Sequence, residues 1–335
     1  MAEFVELKEA IKFAKVGGLT ELVVPPSYIK FLSFDKVEVT IGYFNVGGKV
    51  DQRKSVFELP RYLLPIISRL FTSRSTTYSL LTSLSNDLAV KCLNDIFSKY
   101  AENVYILHAK GTIRCMVPEK YVFIPNEYVL NGIISKETEA NVVNILMCDQ
   151  TRIMRMVYVD GETIKTQAGP IKKAVAVLNS EIGMLDYKTV KKASVVAYPA
   201  VWYMDTNKCA ILNGVNIPFV AVNQMGKKKT DILLDFMVDI AMSKLYDVII
   251  NVHDAMVQER PNNVDGLVGT IRNVFKLINP AYYKQLQTSI DRMSVYSLYM
   301  DILNRSSMYT PQFRIKIEKL CGQIYGGFYD TTRIV

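Results

Sequence analysis

The stretch Lys172–Gly183, KKAVAVLNSEIG, starts as an apolar run and stops on Asn179-Ser180-Glu181, with Gly183 close behind. A short uninterrupted apolar run bounded by polar residues reads as a buried strand. Its polar stop reads as a turn. Asn, Ser and Glu side chains accept from free backbone N–H groups at such places, and Gly183 supplies a backbone angle other residues resist. Glu181 is expected to cap the turn that follows; a catalytic role is the alternative.

Outward from this run the strand pattern continues. Downstream lie ASVVAYPAVWYM (193–204) and KCAILNG (208–214); upstream lie RIMRMVYVDG (152–161) and ANVVNILMCDQ (140–150). NVYILHAK (103–110) and TIRCMVPE (112–119) meet at Lys110-Gly111, a hairpin turn. A short helix is expected within 121–135. Residues 78–100 place Leu81, Leu84, Leu88, Cys92 and Ile96 on one helical face. Before that, an amphipathic helix is expected over 1–16, an irregular edge around Pro25-Pro26, a strand over 37–46 and a proline-broken helix or arm over 49–75. The apolar part of that arm, RYLLPIISRLF (61–71), suits docking on a neighbouring chain; packing on its own core is the alternative. After Lys229 the texture turns helical, with apolar residues three and four apart.

The expected fold class is therefore α+β: a mostly antiparallel sheet with a preceding helix, followed by a helical C-terminal part. The expected division is 1–77, 78–225 and 226–335.

Composition narrows the function. Half of the 335 residues are apolar and 21% are charged, a globular balance. Cys92, Cys115, Cys148, Cys209 and Cys321 are odd in number, with no C-x-x-C pair, which fits buried thiols in a reducing cytoplasm and gives no zinc site. The charged N-terminus does not read as a signal peptide, and no apolar run approaches a membrane span. A net charge of +8 suits polyanionic partners; solubility alone also accounts for it.

Catalytic chemistry has little to stand on. His108 and His253 are the only histidines, and neither has a carboxylate or cysteine at ligand spacing. GKKKT (226–230) imitates the end of a P-loop but fails twice. Lys228 stands where Ser or Thr is needed, and Ala221 where the first Gly is needed. Lys227, Lys228 and Lys229 remain as a solvated loop or a phosphate contact. No enzyme, cofactor or metal is expected.

The strongest constellation is basic and aromatic. Residues 151–200 hold Arg152, Arg155, Lys165, Lys172, Lys173, Lys188, Lys191 and Lys192 against Asp160, Glu162, Glu181 and Asp186, an excess of +4. Tyr198 and Trp202 are interleaved with them. Cations that track phosphates, with rings that stack on bases, suit single-stranded nucleic acid. An ordinary sheet with a polar face and aromatics in its core is the alternative.

Several passages resemble an uncharacterised phage/plasmid-like protein family. YILHAKGTIRCMVPEKYVFIPNEYVL (105–130) carries Arg114, Lys120 and Tyr121 of one family passage. VAVLNSEIGMLDYKTV (175–190) carries the family's Asn179, Ser180, Glu181 and Gly183. Cys209–Gly214 and the QIYGG near residue 325 are looser likenesses. The resemblance covers about residues 78–325 and implies a mobile-element protein in the cytoplasm of an infected or plasmid-bearing bacterium. Phage single-strand annealing proteins combine a curved antiparallel sheet with helices and form rings, and the helix and strands at 78–160 are similar in outline. The expected function is binding or annealing of single-stranded DNA by a homo-oligomer without membrane contact. A structural or interaction protein, in a virion or on a host complex, is the alternative.

Overall fold

The computed structural model describes residues 2–4, 6–15, 20–44, 50–72, 76–119, 125–134, 141–148, 152–166, 169–181, 195–212, 217–218, 256–261 and 265–332. The chain begins with β1 (Ala2–Phe4) and α1 (Leu7–Ala14). Then come β2 (Thr20–Val24), β3 (Ile29–Ser33), β4 (Lys36–Phe44), β5 (Val50–Glu58), α2 (Leu64–Thr72), α3 (Thr76–Ser83) and α4 (Asn86–Ser98). The hairpin β6 (Val104–Ala109) and β7 (Thr112–Pro118) leads to α5 (Asn126–Ile134). Next are β8 (Val142–Met147), β9 (Ile153–Thr166), β10 (Gly169–Ser180), β11 (Val195–Tyr203), β12 (Lys208–Ile211) and β13 (Ile217–Pro218). The described chain ends in α6 (Asp265–Ile278), α7 (Pro280–Ser289), α8 (Val295–Arg305) and α9 (Pro311–Thr332). The class is α+β, with a curved antiparallel sheet, an N-terminal helix and C-terminal helices.

The larger sheet runs β1-β8-β9-β10-β11-β12, with β13 beside β11, and all its pairs are antiparallel. The KKAVAVLNS run is its centre. β10 pairs with β11 from Ile171↔Tyr203 to Asn179↔Val195 and with β9 on its other side. Both faces are covered along 153–159, 174–180 and 195–203, which is why those stretches are mainly apolar rather than alternating. Met154, Met156, Val175 and Val177 pack under Leu7 and Ala10 of α1 and Val129 and Leu130 of α5. Val157, Ala176, Leu178 and Trp202 pack on the other face with Ile315 of α9. Each fully buried Val or Leu contributes about 1.5–3 kcal/mol.

The smaller sheet runs β2-β6-β7-β5-β4-β3 and is antiparallel except for one parallel bridge, Glu58↔Thr112. Lys110 and Gly111 make its hairpin turn with φ of 48° and 78°, the left-handed angles a tight hairpin favours. Its core joins Phe31, Val37, Val39 and Phe57 to Ala89, Leu93 and Phe97 of α4.

Four expectations change. VDQRKSVFE is a strand, β5, rather than part of a helical arm. Leu63, Leu64, Ile66 and Ile67 are buried in this chain's own core, so these four residues of the 61–71 segment do not dock on a neighbour. The single helical face expected over 78–100 is broken. The helix restarts at Ser85, an extended N-cap; that restart resets the phase, so Ala89, Leu93 and Phe97 face inward while Leu88 is 47% exposed. Nor does the chain divide at residue 77. Strands from 20 to 118 share one sheet, while β1 and α1 belong with residues 142–212.

The last four helices are continuous with the larger sheet. Phe275, Leu286, Leu298, Tyr299, Ile302 and Leu320 share a core with Ile171, Val201, Tyr203 and Ala210. Tyr203 and Tyr299 join hydroxyls at 2.8 Å. At Gly322, α9 lies so close to β12 that an added Cβ would stand 1.7 Å from the Ile211 carbonyl oxygen.

Candidate functional site

Two arginines stand at the start of β9, Arg152 just before it and Arg155 third within it, and both are buried by the fold. Arg152 is 3% exposed and takes a left-handed φ of 50°, a conformation that costs a non-glycine residue on the order of 1 kcal/mol. Its Nε and Nη2 donate to the Glu181 carboxylate, and Nη2 also reaches the Ala14 carbonyl oxygen at 3.3 Å. Glu181, 1% exposed, accepts from the backbone N–H of Asn126 at 2.6 Å. Asn126 donates from Nδ2 to the Arg152 carbonyl oxygen at 3.3 Å and accepts from Asn179 Nδ2 at 2.7 Å. Glu181 is thus a cap, as its residue type suggested, but it caps α5, 55 residues upstream, rather than the turn after it. A carboxylate at a helix N-terminus meets free N–H groups and the positive end of the helix dipole. The knot binds the end of β10, the start of β9, α5 and the end of α1.

Arg155, 0% exposed, lies on the opposite face of β9 and faces α9. Its Nη2 donates to Glu318 Oε1 at 2.7 Å and its Nη1 to Asn144 Oδ1 at 2.5 Å. Arg314 Nε donates to the same Glu318 oxygen at 3.2 Å, and Arg314 Nη2 pairs with Glu3 at 3.0 Å. Asn144 Nδ2 closes the ring to Glu3 at 2.7 Å. Burial pushes the Glu3 carboxyl up, but the hydrogen bonds from Arg314 and Asn144 outweigh it and hold the group below its ordinary value. Lys208 stands near the same ring; burial pushes its ammonium down, and the Arg314 charge pushes the same way.

These positions correct the assignment of phosphate contacts. Arg152 and Arg155 are internal ion-pair members and cannot reach a surface ligand. Tyr198 and Trp202 are 6% and 4% exposed and fill the core between the sheet and α9. Lys319 occupies the Tyr198 ring, with Nζ 4.3 Å from its centroid and 3.0 Å from its hydroxyl, so neither ring is a stacking platform. Lys172 and Lys173 are half-buried on adjacent positions of β10, opposite Trp202 and Val201. Gly183, Lys188, Lys191, Lys192, Lys227, Lys228 and Lys229 lie outside the described residues.

The functional groups that sequence reasoning missed are Glu3, Asn144, Arg314 and Glu318. Arg155 and Glu318 are 163 residues apart, so no local spacing links them. The available signal was the lone arginine inside the apolar IMRMVYV run, which demands a buried counter-charge.

Burial pushes the Cys115, Cys209 and Cys321 thiols up, so they are protonated and poor nucleophiles at neutral pH. His108 lies against the Phe57 ring at 4.6 Å between centroids, and burial holds its imidazole down toward the neutral form. Among the described residues there is no group of three His, Cys, Asp or Glu that could hold a metal. A cavity of about 300 Å³ opens among Asp35, Lys36, Glu58, Leu59, Pro60, Arg61 and Thr112. Its two acids and two bases balance. Among the described residues, no helix is long and apolar enough to cross a membrane.

The chain matches no protein-family model, no curated protein and no solved structure.

Proposed function

We propose that the chain binds single-stranded nucleic acid, DNA foremost, without acting on it chemically. Its setting would be phage or plasmid replication or recombination in a bacterial cytoplasm, as the likeness around Asn179-Ser180-Glu181 suggests. The observation that carries the reading is where the charge is spent. Arg152, Arg155 and Arg314 are buried against Glu181 and Glu318, with the half-exposed Glu3 alongside. Three buried cations against two buried anions remove a single unit from +8. Among the residues whose burial is described, the remaining charges are half-buried or exposed, where a polyanion would feel them. Exposed Lys165 and half-buried Lys172 and Lys173 carry part of this charge on the β9–β10 hairpin. Lys188, Lys191, Lys192 and Lys227–Lys229 are assigned phosphate contacts from the sequence.

Fluorescence anisotropy of labelled single-stranded and duplex DNA across a salt series tests this. Binding at micromolar or tighter affinity should weaken with salt. Replacing Lys188, Lys191 and Lys192 together by Ala should flatten the log–log salt slope by about 2, at roughly 0.7 per lost contact on a single strand. Absence of binding at low salt overturns the reading.

A second reading, an interaction component of a phage particle or host complex, draws on Met308, 74% exposed, and Phe313, 38% exposed. Mass spectrometry of purified particles and of co-purified host proteins tests it.

A further inference from the structure

Each end of the two sheets must dispose of a row of backbone N–H and C=O groups, and three of the four do so visibly. At β3 the side chain of Asn94 acts as a substitute strand. Its Oδ1 accepts from the Phe31 N–H at 2.7 Å and its Nδ2 donates to the Phe31 carbonyl oxygen at 2.9 Å. At β12 the helix α9 lies against the strand, at the Gly322 contact. β1 is three residues long, and its Glu3 is drawn into the ring around Arg314. Short edges, covered edges and inward charges are the usual protections.

Among the described residues β2 has none of these. It ends the smaller sheet, bonded to β6 alone from Thr20↔His108 to Val24↔Val104. Thr20–Val24 makes no other backbone hydrogen bond among the described residues. Thr20 and Glu21 are exposed, and Val23 is 50% exposed. Glu21 is its only charge, and no proline interrupts it before Pro25.

We propose that this edge pairs with the β2 edge of a second copy of the chain, antiparallel about a two-fold axis at Leu22. The strand is self-complementary in that register. Leu22 faces Leu22 of the second copy, Glu21 faces Val23, and Thr20 faces Val24, so no like charges stand opposite. The contact is isologous, so it uses both free edges and closes at a dimer. Pro25-Pro26 ends the pairing, because proline cannot continue the ladder. The two smaller sheets become one continuous sheet. The pairing is short, so the dimer is weak, on the order of micromolar or above.

This pairing is independent of nucleic-acid binding, and salt separates the two. Both copies carry +8, so screening their repulsion should strengthen the dimer while it weakens contact with DNA. Light scattering coupled to size exclusion, without DNA at about 200 µM chain, should give a mass approaching twice 38.0 kDa that rises with salt. Val23→Glu places like charges opposite Glu21 twice across the axis and should weaken the dimer about tenfold. Adding Glu21→Lys should restore it, because opposite charges then face each other. Leu22→Cys, oxidised, should give a covalent dimer on a non-reducing gel, since residues opposite on the axis lie within disulfide reach. A monomer at that concentration in high salt overturns the proposal. So does a dimer that ignores Val23→Glu and yields no Leu22→Cys cross-link.

Discussion

β11 and β5 are both nine-residue strands. Every residue of β11 is buried. In β5, Asp51, Gln52, Arg53 and Lys54 are exposed in succession, and Phe57 is the residue that anchors it. β11 is held by side chains on two faces. β5 is held mainly by its ladder to β4, from Lys36↔Glu58 to Phe44↔Val50. Apolar composition in this protein therefore reports being covered, not being a strand. It also explains where charge costs most: an arginine on β5 is solvated, while Arg155 on β9 needs a carboxylate delivered to it.

The harshest way to break that contrast is to remove the delivered carboxylate. Glu318→Ala leaves Arg155 and Arg314 buried with one shared acceptor gone, and should cost about 3–5 kcal/mol in urea unfolding. A loss below about 1 kcal/mol would mean that water reaches the arginines and that the interior is not closed. A matched pair of truncations sharpens the comparison. Leu178→Ala on β10, buried on the face toward α9, should cost about 2–5 kcal/mol. Val56→Ala on β5, 55% exposed, should stay within about 0.5 kcal/mol. Equal costs at the two sites would refute the difference in covering.

The smallest effect is a matter of pH. The Glu3 carboxyl is held below its ordinary value in the folded chain, so its ionised form is the one that stabilises. That contribution is present above the unfolded value near 4.5 and is lost as pH falls through the lower folded value. Wild type should melt above Glu3→Gln at neutral pH, and the gap should close below about pH 4.5. A gap that persists unchanged in acid would show that Glu3 acts through packing rather than charge.

Strands β8 to β12 were legible because sandwiched strands write themselves as apolar runs, and the Lys110-Gly111 turn because only certain residues tolerate its angles. β5 was not legible. Its polar VDQRKS carries no alternation that a buried face would impose, and Pro60 drew the reading toward a broken helix. Leu88 misled because a helical stripe was followed across a cap at Ser85. For the site, the sequence marked Asn179, Ser180 and Glu181 as a structured stop, while the element they brace, α5, was beyond local inspection. Arg152, Arg155, Tyr198 and Trp202 looked like a surface because charge and aromatic rings interleave there. The partners of Arg155 and Tyr198, Glu318 and Lys319, come from a helix more than a hundred residues later, and composition cannot show that pairing.

The ring joining Glu3, Arg155 and Glu318 also sets an order of assembly. Among the described residues, the smaller sheet and its core draw on residues 20–118, so they can close while the remainder is still being synthesised. The larger sheet cannot. Until α9 emerges, Arg155 has no carboxylate from Glu318, and one face of β9–β11 lies bare. Sequence separation of this size makes such contacts slow to form and leaves apolar strands exposed in the interval. A nascent chain halted before residue 311 is therefore expected to hold a finished first sheet beside an unfinished, adhesive second one, a natural client for chaperones.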